Sequence, residues 1–137
     1  MGRMSPLHSP QTGLTQSSSV VPASRNGGAS NADVNGSTID LTGYRGGYFI
    51  LHIGALTGSA AVAARLQTND LPSDPANGNW SNVNYTTYSN AQVTNKTNQS
   101  TAFEMSYVPY AGGPLVVRAV LTPEANVSLA SIAHVLF

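Results

Sequence analysis

At 137 residues the chain has room for one domain with one modest core. Six basic residues balance six acidic ones, and charged residues make up only 9% of the chain, against ~25% in an average soluble domain. This excludes the basic footprint of a nucleic-acid binder, and a net charge near zero favours association over dispersal. Cysteine is absent, so there is no disulfide framework and no thiolate metal site. No run of ~18 apolar residues exists, so no membrane contact is expected. The N-terminus lacks the basic and apolar regions of a signal peptide, which points to synthesis in a cytoplasm. Asn-x-Ser/Thr triplets, among them those beginning at Asn79, Asn84, Asn95, Asn98 and Asn126, are read as chance products of an Asn-, Ser- and Thr-rich chain.

Residues 1–32 show no hydrophobic period. Ser, Thr, Gln, Gly and Pro surround isolated Leu7 and Leu14, a short apolar island at Val20-Val21-Pro22, and Arg25. Such a segment buries too little apolar surface to fold alone. The expectation is a flexible or extended N-terminal arm that is either a floppy terminus or orders along a neighbouring subunit, with residues 33–137 forming the body.

From Asn31 onward the texture changes. Ile39 and Leu41 flank Asp40 in a short alternating strand. Gly43-Tyr-Arg-Gly-Gly47 is a turn. Tyr48–Ile53 follows, with Phe49, Leu51 and Ile53 on one face and Tyr48, Ile50 and His52 on the other. Ala60–Thr68 sets Val62, Ala64 and Leu66 against Ala63, Arg65 and Gln67. Asn69–Asn79 holds nearly every turn-forming residue and reads as a loop. Trp80–Tyr85 alternates weakly, and the polar stretch 86–100 reads as a hairpin tip or surface loop. Thr101–Tyr107 alternates cleanly. Leu115–Thr122, bounded by prolines, gives the strongest central-strand signal. Val127–Phe137 is apolar or small in both registers and reads as a strand covered on both sides.

No amphipathic helix emerges. Short strands at this spacing predict an all-β fold, an antiparallel β-sandwich or jelly roll of about seven to eight strands. The expected core is Phe49, Leu51, Ile53, Val62, Leu66, Phe103, Met105, Val117, Leu121, Leu129 and Val135. The strands at 48–53, 115–121 and 127–137 are apolar on both faces, so their inward register is open, and they are expected to lie under both a core and a subunit interface.

The chain offers little chemistry. His8 lies in the arm, and His52 and His134 sit among apolar neighbours, where two histidines without a third ligand make no zinc site. Asp70 and Asp74 share a loop with Asn69 and Asn77, but the ligand rhythm and central glycine of a calcium loop are missing, so Asx-turn and capping roles fit better. No serine sits in Gly-x-Ser-x-Gly, no glycine-rich loop leads into a helix with a lysine, and the arginines at 3, 25, 45, 65 and 118 are scattered. No enzyme activity and no cofactor is expected. Trp80, Tyr85 and Tyr88 lie beside amide side chains, a composition that suits sugars, or equally an edge strand whose aromatics pack on the sandwich.

Val34-Asn-Gly-Ser-Thr-Ile-Asp-Leu-Thr-Gly-Tyr44, Tyr48-Phe-Ile-Leu-His-Ile-Gly-Ala55, Ala63-Ala-Arg-Leu-Gln-Thr-Asn-Asp70, Trp80-Ser-Asn-Val83 and Leu115-Val-Val-Arg-Ala-Val-Leu-Thr-Pro123 together resemble a layout that recurs in tailed-bacteriophage virion proteins. The long Asn/Thr segment at 84–100 and the Ser/Gly arm depart from it. The resemblance implies a small β-sandwich on the virion, namely a capsid decoration or cement protein, made in the host cytoplasm and clustered as homotrimers on the capsid surface. Its partners would be the major capsid protein and further copies of itself, with Leu7, Leu14, Val20, Val21 and Arg25 as contact residues. The alternatives are a head–tail joining or tail component, and a carbohydrate-binding or fibre-tip domain using Trp80, Tyr85 and Tyr88.

Overall fold

The computed structural model describes residues 15–26, 33–56, 60–84, 88, 90–97, 101–109, 113–124 and 127–137. These residues form ten strands: β1 (Thr15–Asn26), β2 (Val34–Asn35), β3 (Ile39–Asp40), β4 (Gly47–Leu56), β5 (Ala61–Asn69), β6 (Trp80–Asn82), β7 (Gln92–Lys96), β8 (Thr101–Tyr107), β9 (Val116–Glu124) and β10 (Val127–Leu136). Every pairing is antiparallel. A four-stranded sheet runs β1-β10-β4-β8 and a six-stranded sheet runs β2-β9-β5-β6, with β3 also on β9 and β7 also on β5. The fold is an all-β antiparallel sandwich, as the strand spacing predicts.

The core forms where the inward registers of the two sheets meet. Phe49, Leu51 and Ile53 of β4, Val62, Ala64 and Leu66 of β5, Met105 and Tyr107 of β8, and Val117, Ala119 and Leu121 of β9 belong to one buried cluster. Phe103 packs against it, partly buried. The Tyr107 hydroxyl donates to the Pro114 carbonyl at 2.9 Å, so an otherwise apolar position stays satisfied and the β8–β9 connection is tied down.

β10 turns the other way from the expectation. Its buried side chains are Ala130, Ile132, His134 and Leu136, while Leu129 is 41% exposed and Val135 half-buried. Both registers are apolar enough to face a core, so the choice falls to pairing. The partners Ile132↔Leu51 and His134↔Phe49 place the even-numbered residues beside the inward residues of β4.

The N-terminal segment also departs from expectation. Residues 15–26 do not stand apart from the body. They form β1 and pair along β10, from Thr15↔Leu136 to Asn26↔Val127. Within the first 32 residues, the described part is thus a strand of the chain's own sheet. An edge strand satisfies one side of its backbone on its neighbour and needs few buried side chains; here Val20, 3% exposed, supplies the apolar anchor. Register shifts between Ser18 and Val20 and between Val20 and Ala23, with Pro22 beside them, interrupt the ladder. The Ser19 carbonyl accepts from the Ser37 amide at 3.0 Å, joining this edge to the β2–β3 connection. Gly36 is required there: its amide lies 2.7 Å from the Ala119 carbonyl, and an added Cβ would meet that oxygen at 2.7 Å and the Ser19 carbonyl at 3.0 Å. The polar stretch at 86–100 likewise contributes a strand, β7, on the edge of β5.

Candidate functional site

The outer face of the six-stranded sheet carries a polar network. Alternation along β5 projects Arg65 and Gln67 outward, and cross-strand register brings Asn82 of β6 opposite Gln67 and Arg118 of β9 opposite Gln67 on its other side. Arg65 donates from Nη2 to Asp33 at 2.7 Å, from Nη1 to Thr122 at 3.0 Å and from Nε to Asn82 at 3.0 Å. Thr122 donates to Asp33 at 2.6 Å. Gln67 donates to Asn82 at 3.0 Å and accepts from Arg118 Nε at 2.9 Å. The Arg118 guanidinium then lies 4.4 Å from the centre of the Trp80 ring. The Arg65 hydrogen bond leads the causes that hold the Asp33 carboxyl below its ordinary range. Val120, opposite Arg65 in the register, is fully buried although it faces the same way.

The outer face of the four-stranded sheet is built differently. One row across it reads Ser18–Ala133–Ile50–Glu104, and the next places Val135, Tyr48 and Ser106 side by side. Tyr48, 43% exposed, packs its ring 5.0 Å from that of Phe137. Leu129 lies over Gly54, where an added Cβ would come within 3.0 Å of its side chain. Among the described residues, two charged groups stand at the margins of this face: Glu104 on β8, and Arg45, whose guanidinium is 6.0 Å from the Phe137 ring centre.

One end of the sandwich gathers the loops after β3, after β5 and before β9 around an open hollow of about 460 Å³. Leu71, Val108 and Leu115 are exposed in these loops. The carboxylates here serve the turns. The Thr42 amide donates to Asp40 at 2.9 Å, and Asn79 donates its amide to Asp70 Oδ1 at 2.6 Å and its side chain to Oδ2 at 3.1 Å. Asn77 caps Asp74 at 2.7 Å. Bonds to Thr42 lower the Asp40 pKa, and bonds to Asn79, led by its backbone amide, lower that of Asp70. The described residues bring together no group of three or more His, Asp or Glu fit to hold a metal ion.

Compared with protein-family models, with curated proteins and with solved structures, the chain matches none. Its function must be read from its own surfaces.

Of the residues singled out in the sequence, Val20 lies in its own chain's core and is not presented to a neighbour, whereas Val21 beside it is exposed. Arg25 lies on β1 opposite Ser128. Leu7, Leu14 and Tyr85 fall outside the described residues. Trp80 packs against Arg118, while Tyr88 packs against Tyr107 with ring centres 4.8 Å apart, so the two rings have separate partners. His52 is exposed on the outer face. His134 is buried, and its Nδ1 lies 2.6 Å from the Ser19 hydroxyl, also buried. Burial holds its pKa below the ordinary value. This serine–histidine pair sits inside the sandwich and joins β1 to β10.

The polar network escapes sequence reading. The Arg65/Gln67 spacing signals a shared face, but the arginines at 65 and 118 look scattered until the β5–β9 register sets Arg118 against Gln67.

Proposed function

We propose that this protein is a structural component of a tailed-phage virion, docking on the outside of the capsid and bridging neighbouring major capsid subunits. One observation carries the reading. In a chain with few charges, the exposed large apolar side chains among the described residues are Tyr48 and Leu129 on the outer face of the four-stranded sheet, Val21 on its edge strand β1, and Leu71, Val108 and Leu115 at one loop end, while the opposite face carries a polar network. Gathered apolar surface rimmed by polar groups marks a protein contact rather than a solvated face.

In this reading the loop end, with Leu71, Val108 and Leu115, meets the shell. Each contact is individually weak. Many copies on a closed shell act together through effective concentration, and binding to the mature shell alone stabilises that state by mass action.

Tailed-phage capsids stripped of decoration should gain melting temperature when the protein is added. Val108→Asp and Leu115→Asp, both at exposed positions, should weaken that gain while leaving the free protein folded. An unchanged capsid melting temperature overturns the reading.

A further inference from the structure

We propose that the outer face of the four-stranded sheet is the contact between two copies of this chain, packed sheet on sheet about a two-fold axis that runs along the strands between β10 and β4. The inference goes beyond the virion reading and does not depend on it, since the pair forms with no shell present.

Area is the first argument. From Leu129 to Phe137 the face runs about 27 Å along β10 at ~3.4 Å per residue, and four strands at ~4.8 Å span about 19 Å. The footprint is on the order of 500 Å². Interdigitating side chains remove more accessible surface than the flat footprint, which brings each copy near the ~800 Å² it contributes to a standard stable interface.

Electrostatics and shape form the second argument. Self-association demands a surface that does not repel itself; among the described residues this face carries formal charge only at its margins, Glu104 on its outer strand and Arg45 at the strand end, and the two-fold sets the exposed His52 of β4 against the second copy's Ser131. A two-fold axis along the strands exchanges β10 with β4 and β1 with β8. In the row Ser18–Ala133–Ile50–Glu104, it lays Ile50 of one copy over Ala133 of the other, a large side chain over a small one. The same operation sets Glu104 against the second copy's Ser18, a hydroxyl that can donate to it, and keeps it off the second Glu104. In the adjacent row Tyr48 meets Val135. The opposite face offers no such surface, because Arg65, Gln67, Asn82 and Arg118 are already engaged with one another.

Sedimentation velocity of the full chain over a concentration series tests the arrangement. The wild-type protein should sediment as a dimer that dissociates on dilution. Ile50→Lys puts an unpaired charge at the centre of the contact and should weaken association by well over tenfold. Should Ile50→Lys fail to fold, Tyr48→Lys places the same charge at a more exposed position of the same face and should have the same effect. Asn35→Lys adds that charge to the opposite, six-stranded sheet and should leave the dimer intact. A wild-type monomer at all concentrations, a trimer, or a dimer indifferent to Tyr48→Lys overturns the proposal.

Discussion

The two outer faces of the sandwich stand over the same core yet solve the problem of meeting solvent in opposite ways. On the six-stranded sheet, long side chains lie across the strands and satisfy one another, from Asp33 through Arg65, Asn82 and Gln67 to Arg118 and Trp80. Their stems cover enough surface that Val120, which faces outward, is as buried as any core residue. On the four-stranded sheet the outward residues, His52 and Glu104 apart, are short or apolar, and the described residues leave them uncovered: Tyr48 and Leu129 are exposed and Ile50 and Val135 half-buried. A chain with six basic and six acidic residues has few charges to distribute. Two arginines and one aspartate are gathered on the face that stays in water, and charge is kept to the margins of the face that reads as a docking surface.

Two outward-facing valines break or sharpen this contrast most directly. Val120→Ala opens a cavity under the polar network and should cost about 2 kcal/mol. Val135→Ala should cost under about 1 kcal/mol in the monomer, because its site is already partly hydrated, and should instead weaken self-association. Urea unfolding of both variants at low protein concentration checks the ranking. Equal losses would mean that the two faces are covered to the same degree.

The same contrast shows which parts of the fold were legible in the sequence. β4 and β9, apolar on both faces, leave their register open, but β8 shows its inward residues plainly, since Met105 and Tyr107 alternate with Glu104 and Ser106. β10 does not, because Leu129 and Val135 are as apolar as Ile132 and Leu136; only pairing with β4 decides between them. β1 was hidden for another reason. With Ser17, Ser18 and Ser19 before Val20 and Pro22 after Val21, its composition is that of a linker, and it becomes a strand because β10 offers it an edge. The polar network was invisible because it spans β5, β6, β9 and the residue before β2, a juxtaposition that exists only after folding.

A smaller effect is expected from the centre of that network. Arg65→Ala removes three donor contacts, but the side chain is 25% exposed and its Asp33 partner 40%, so solvent screening brings the loss to about 1 kcal/mol. Arg65→Lys should not restore it, since one ammonium cannot reach Asp33, Thr122 and Asn82 in the guanidinium's geometry. Asp33 supplies a pH signature of the same contact. Its folded pKa lies below the ordinary 3.8, so its contribution is present above that pH and lost as pH falls through the lower folded value. Arg65→Ala should flatten the stability profile there, and an unchanged acid limb would show that the network leaves stability untouched.

The smallest and most selective effect should come from His134, on the strand that carries the apolar face outward and the core inward. Its folded pKa lies below the ordinary 6.5 because burial disfavours the imidazolium. The unfolded chain therefore takes up a proton at higher pH than the native protein. Stability should begin to fall as pH drops below about 6.5 and should go on falling until the native imidazole itself titrates. The Ser19 hydroxyl at 2.6 Å does not remove this cost, because a single neutral partner cannot replace the water a buried cation gives up. His134→Gln keeps a polar group facing Ser19 but cannot titrate, so its urea midpoint should hold steady between neutral pH and the onset of carboxylate protonation, where that of the wild type declines. The remaining histidines are common to both proteins, so a difference in slope isolates His134. Parallel profiles would mean that the imidazole is solvated in the native state and that β1 does not seal it.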